Sequence, residues 1–97
     1  MSQFILSGSA RSDLKSIASY TQKTWGAQQR RLYLKEIDES FHWIAENPKA
    51  GHPCNEVSHG LRKQPSGQHI IYYETQQHHI FIIRVLHKSM DVSLHFK

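Results

Sequence analysis

Apolar positions along the chain change their period twice, and the changes mark out its elements. Gln3-Phe4-Ile5-Leu6-Ser7 is a short extended run cut off by Gly8, which predicts a strand. Ser9 or Ser12 is then placed to cap a helix, with Asp13 in its first turn. Leu14, Ile17, Ala18, Thr21 and Trp25 recur at helical spacing and predict one buried stripe, broken at Gly26. A longer helix is expected from about Ala27 to Glu46, with Leu34, Ile37, Phe41, Ile44 and Ala45 as its core face. Asn47-Pro48 stops it, because proline disfavours helical geometry in the residue before it. So little chain separates the two helices that they should form an antiparallel hairpin.

Leu32 and Trp43 break the pattern. They are eleven residues apart, three full turns, and lie almost opposite the main stripe. They are either a scattered leucine and a tryptophan at the rim of the core, or a contact surface for a partner chain.

Beyond Pro48 the period becomes that of strands. Pro48 to Ser58 has loop composition. Leu61 to Gln64 reads as a strand ending at Pro65, followed by a Ser66-Gly67 turn and a second strand from His69 to Glu74. A turn around Gln76-Gln77 leads into a third strand, His79 to Leu86. There Ile80 to Ile83 is apolar on both alternating faces, the mark of a central strand covered on both sides. Met90 to Phe96 is expected as a short terminal helix capped by Ser89. The economical architecture is α+β: an N-terminal strand, and an antiparallel helical hairpin packed on a mainly antiparallel sheet, with a short C-terminal tail or helix.

Composition narrows the partners. Ninety-seven residues make one domain, 1–97, with one modest core. Twelve Lys and Arg against eight Asp and Glu leave a net charge of +4, which favours an anionic partner: nucleic acid, an acidic protein segment or a nucleic-acid machine. Cys54 is the sole cysteine, so no internal disulfide forms, and it reads as an incidental loop thiol. The N-terminus has no signal-peptide pattern, and no apolar run approaches the roughly 20 residues that span a bilayer. The expected location is the bacterial cytoplasm, with no membrane partner.

Among candidate chemical groups, Arg84 stands out, since alternation places it on the face of Ile80, Ile82 and Leu86. A guanidinium there needs a partner. It is either a structural arginine paired with a carboxylate such as Glu74 or Asp91, or bonded to loop carbonyls, or it lines a concavity that meets phosphate or an acidic chain. Arg62 or Lys63 could join it, one on each face of the sheet. Lys35 and Arg30-Arg31 read as solvent-face charges, with binding of acidic or phosphate groups as their alternative use. Eight histidines show no metal-site spacing, so no metal or other cofactor is expected. His87 follows the third strand and is placed to act as a general acid or base.

Several strings together resemble a known family. Gly60-Leu61-Arg62, His69-Ile70-Ile71-Tyr72-Tyr73 and Ile83-Arg84-Val85-Leu86-His87-Lys88-Ser89-Met90-Asp91 are similar to the C-terminal half of ParE toxins. Ala10, Asp13-Leu14, Ile17, Tyr20 and Trp25-Gly26 match the family's first helix, and Tyr33, Phe41, Ala45, Pro48 and Gly51 its second helix and loop. The resemblance runs from Phe4 to about Asp91 and implies the RelE-like fold of the RelE/ParE superfamily. It also implies a type II toxin–antitoxin module, with a role in plasmid maintenance. The partner would be a ParD-like antitoxin that wraps the toxin with an acidic segment, and the resulting hetero-oligomer would bind operator DNA through the antitoxin. Leu32, Trp43, Arg62 and Arg84 are the candidate antitoxin contacts.

The superfamily has two activities. ParE-like members stabilise the cleaved-DNA complex of DNA gyrase, and RelE-like members cut messenger RNA on the ribosome with clustered Lys and Arg and a terminal Tyr or His. Here no tyrosine follows Tyr73, and Lys49 is the only Lys or Arg between Glu46 and Gly60, which favours the gyrase branch. On that reading the protein is a binding inhibitor and not an enzyme, with Arg84, His87, Lys88, Met90 and Asp91 as target contacts. On the ribonuclease reading, Arg62, Arg84 and His87 would be catalytic. A third possibility is a non-toxic module that binds antitoxin and co-represses its operon.

Overall fold

A computed structural model describes residues 3–96. Strand β1 (Phe4–Leu6) leads directly into α1 (Gly8–Trp25), and α2 (Ala27–Glu46) follows. Strands β2 (His52–Pro53), β3 (Arg62–Ser66), β4 (His69–Thr75) and β5 (Ile80–His87) complete a five-stranded sheet. Its order is β1-β5-β4-β3-β2, with β1 parallel to β5 and every other pair antiparallel.

The helices begin and end where local chemistry allows. Ser7, not Ser9 or Ser12, caps α1: its Oγ accepts from the Ala10 amide at 2.9 Å. The same hydroxyl donates to the Ile83 carbonyl at 2.6 Å, so the cap is also pinned to β5. Gly8 therefore opens the helix instead of separating it from β1. Gly26 joins the helices at φ 96°, a conformation that side chains disfavour, and lets α2 begin one residue later. The stripe expected along α1 closes at Thr21, and Trp25 at the helix end stands 70% exposed.

Both faces of the sheet are covered. Ile17 of α1 and Ile37, Phe41 and Ile44 of α2 pack on Ile71, Tyr73, Ile80, Ile82 and Val85. On the opposite face Cys54, Leu61, Tyr72 and Leu86 form a second, smaller core with Val57, Ile70, Ile83, Val92 and Phe96. Cys54 is thus a buried packing group, and burial pushes its thiol pKa up. The segment expected as a plain loop contributes β2, which pairs His52 with Lys63 and Pro53 with Arg62. Pro65 lies within β3 instead of ending it. The tail forms a 3-10 turn (Val92–His95) capped by Asp91, not Ser89, through its carboxylate and the Ser93 amide at 3.1 Å.

One irregularity in β5 changes which side chains face the helices. Tyr72 aligns with Arg84 but Tyr73 with Ile82, which leaves Ile83 as an extra residue. Ile80 and Ile82 face the helices before this bulge and Val85 after it, while Ile83 and Leu86 join the second core. Arg84 therefore does not share a face with Ile80, Ile82 and Leu86 as simple alternation requires.

A candidate binding groove at the end of the central strand

Tyr33 of α2 organises the groove. Its Oη accepts from the Gln68 amide at 2.9 Å and lies 2.6 Å from His69 Nδ1. Gln68 belongs to the two-residue β3–β4 turn, where Gly67 adopts φ 60°. A side chain at Gly67 would also strike the Tyr33 ring. The phenol thus clamps the turn onto α2, and the turn presents His69.

His69 stands directly opposite His87 across β4 and β5, with ring centroids 5.3 Å apart in an edge-to-face arrangement. His87 Nδ1 accepts from the Ser89 amide at 3.1 Å and lies 2.7 Å from Ser89 Oγ. An acceptor Nδ1 leaves the proton of the neutral ring on Nε2. Burial, with the charge of His87 adding to it, pushes His69 below the usual histidine range, so it is neutral at pH 7.

These rings close one end of an open groove of about 830 Å³ between α1, α2 and the end of β5. Tyr20 and Trp25 form its α1 wall and Met90 its rim, exposed by 67%, 70% and 50% respectively. Large apolar side chains grouped in a concavity are the usual form of a surface that buries a partner's anchors. Sequence reasoning placed His87 and Met90 at this site but missed Tyr33 and His69 as site residues. Their meeting depends on a helix and a turn 36 residues apart.

The other candidates lie elsewhere. Arg84 donates through Nε and Nη2 to both carboxylate oxygens of Asp13, each at 2.8 Å. Its partner is therefore Asp13 on α1, neither Glu74 nor Asp91, and this bonding raises the guanidinium pKa further. Arg62 donates to the carbonyls of Lys49, at 3.2 Å, and Gly51, holding the loop after α2. Tyr73 holds the same loop, accepting from the Gly51 amide at 3.0 Å and donating to the Pro48 carbonyl at 2.9 Å. Since Arg62 pairs with Tyr73 and His87 with His69, the two stand about 13 Å apart along the strands. Arg62, Arg84 and His87 are thus held in three separate settings.

Lys88 is exposed, and its amide donates to the Gln68 carbonyl at 3.0 Å. Asp91 is committed to its cap. Leu32 and Trp43 each expose 47% on α2, outside the groove. Among the described residues, no group of three His, Cys, Asp or Glu is placed to hold a metal ion, and no helix is long and apolar enough to cross a membrane.

The arrangement is that of a small α+β domain: two helices on a mixed sheet, with an apolar groove where the central strand ends. A solved chain from the chromosomal ParDE TA system of P. aeruginosa shares this fold, at TM-score 0.78 and 19% identity over 90% of this chain and 96% of that one. A family profile described as "ParE toxin of type II toxin-antitoxin system, parDE" matches residues 4–92. Toxin ParE1 of Mycobacterium tuberculosis is 37% identical over 92 residues, 94% of each chain. Toxin ParE1 of Caulobacter vibrioides is 36% identical over 95 residues, 98% of each chain, and Toxin ParE of Escherichia coli is 26% identical over 93 residues. This chain belongs to the ParE toxin family, and its fold is the RelE-like one.

Proposed function

We propose that this chain is the toxin of a type II module, that it inhibits DNA gyrase by binding and stabilising its cleaved-DNA complex, and that it is not an enzyme. The observation that carries the non-enzymatic reading is the separation of Arg62, Arg84 and His87. Two of the three are tied to structural partners, Arg62 to loop carbonyls and Arg84 to Asp13, and only His87 opens onto the groove. Clustered general acid, general base and cation are what RNA cleavage asks of a site. A contact inhibitor asks only for a shaped surface, and the groove with His87 and Met90 supplies one.

Neutralisation by a ParD-like antitoxin rests on the same groove. An acidic segment that folds on binding needs apolar anchors to offset its ordering entropy. Tyr20, Trp25 and Met90 offer the complementary surface, while Leu32 and Trp43 extend apolar contact along α2. The bacterial cytoplasm is the compartment this role implies.

The test is a supercoiling and DNA-cleavage assay of gyrase with the purified protein, run beside a ribosome-dependent mRNA cleavage assay. Loss of supercoiling with accumulating cleaved DNA, reversed by antitoxin, is the expected result. Cut mRNA with intact gyrase would transfer the protein to the ribonuclease branch. Neither effect, from folded protein, would favour a non-toxic co-repressor module.

A further inference from the structure

The chain's positive charge is concentrated in one place. Residues 14–35 contain five cations (Lys15, Lys23, Arg30, Arg31 and Lys35) and no carboxylate, a local charge of +5. The rest of the chain has seven cations and eight carboxylates, a charge of −1, so this stretch accounts for the whole net charge of +4. It comprises most of α1 and the first half of α2.

Folding gathers three of these cations around one depression. Lys15, Lys23 and Arg30 surround an open hollow of about 600 Å³ on the helical hairpin, with Ala18, Ser19 and Gln22 between them. Among the described residues the salt bridge is Asp13–Arg84, with a further contact between Asp38 and His42, and neither involves these three cations. This hollow is lined by different residues from the apolar groove, so the two are separate surfaces.

We infer that the hollow formed by Lys15, Ser19, Gln22, Lys23 and Arg30 binds the phosphate backbone of duplex DNA. Ala18 is the one apolar side chain among its lining residues and the rest of its apolar surface is the stems of Lys15, Gln22, Lys23 and Arg30, so the hollow offers no large apolar pocket for the anchors of a wrapping acidic peptide. A uniform polyanion needs only cations and small polar donors, and lysine, arginine, serine and glutamine are typical phosphate contacts. Lys15 and Lys23 are eight residues apart on one helix, a separation of about 12 Å. Flexible stems on that spacing let both ammonium groups reach phosphates along the rims of the wide B-form major groove, whereas the A-form major groove is deep and narrow. This inference does not depend on gyrase being the target.

The test is fluorescence anisotropy of a short labelled DNA duplex, titrated with the full-length protein at several salt concentrations. Two charge-matched variants are compared: Lys15→Gln/Lys23→Gln in the hollow and Lys49→Gln/Lys63→Gln outside it. Three phosphate contacts predict a slope of log affinity against log salt of about −2.7, falling to about −0.9 in the hollow variant. At low salt the hollow variant should bind at least ten-fold more weakly, while the outside variant stays within two-fold of the parent. Equal weakening of both variants would overturn the inference, because net charge alone would then explain binding. So would tighter binding of a matched RNA duplex or of polyglutamate than of DNA.

Discussion

Asp13 and Arg84, separated by 71 residues in sequence, form a two-point pair at 2.8 Å that joins α1 to β5 where the strand bulges. One Asp13 oxygen also accepts from the Val85 amide at 2.9 Å. β1 pairs with β5 only as far as Ile82, so beyond it the backbone edge would lack a partner. Ser7 and Asp13 supply that partner from the start of α1. The side chains of Arg84 and Asp13 are 20% and 13% exposed, burial enough that leaving either charge alone is costly.

Asp13→Ala should therefore lower unfolding free energy by about 3 kcal/mol, and Arg84→Ala by a similar amount. The double variant should cost much less than the two losses summed, because the groups act as a unit. Urea unfolding of the four proteins measures this. If Arg84→Ala abolished toxicity at unchanged stability, Arg84 would be a contact residue and not a structural one.

His69 sets a pH dependence of stability. Its pKa is lowered in the folded state from 6.5, so the unfolded chain binds the proton more tightly. The stabilising contribution of neutral His69 is then complete above pH 6.5 and is lost as pH falls towards the lower folded value. His87, Tyr33 and Asp13 are the titratable groups that bear on it. The urea midpoint should fall between pH 7.5 and 5, and His69→Gln should flatten that fall. An equally steep fall in the variant would assign the effect to other groups.

Trp25 is the most exposed large hydrophobic residue of the groove. Trp25→Ala should leave circular dichroism and thermal stability nearly unchanged, since the ring is 70% exposed in the free protein. It should weaken antitoxin binding at least ten-fold, about 1.4 kcal/mol, as truncating an aromatic hot spot does. Isothermal titration against the antitoxin gives the answer. Unchanged affinity would move the contact to Leu32 and Trp43.

Strong periodicity makes the longest elements legible in the sequence. The bounds of α2 follow from its stripe and from Asn47-Pro48, and the two-sided apolar run of β5 announces a covered central strand. The bulge was not readable, because Ile82-Ile83 is apolar on either register and only packing chooses between them. That one extra residue reverses the expected faces of Arg84 and Leu86, and the 71 residues between Asp13 and Arg84 hide the arginine's partner, since only the packing of α1 beside β5 brings them together. Ser7 escaped notice because Gly8 looks like a helix breaker, although a first-turn glycine costs little once the preceding serine is fixed to β5. The groove was half visible. Met90 and His87 stood out as the end of a strand, but Tyr33 and His69 meet only through the tertiary clamp on the β3–β4 turn.

Inhibition by contact, without catalysis by His87, is tested most directly by titrating gyrase and DNA with the parent protein and with His87→Gln. A contact residue shifts the concentration needed but not the final extent, so both proteins should reach the same plateau of cleaved DNA, the variant at several-fold higher concentration. A parent that leaves gyrase intact and cuts mRNA, with a His87→Gln variant that no longer cuts it, would contradict the account and make His87 a catalytic group.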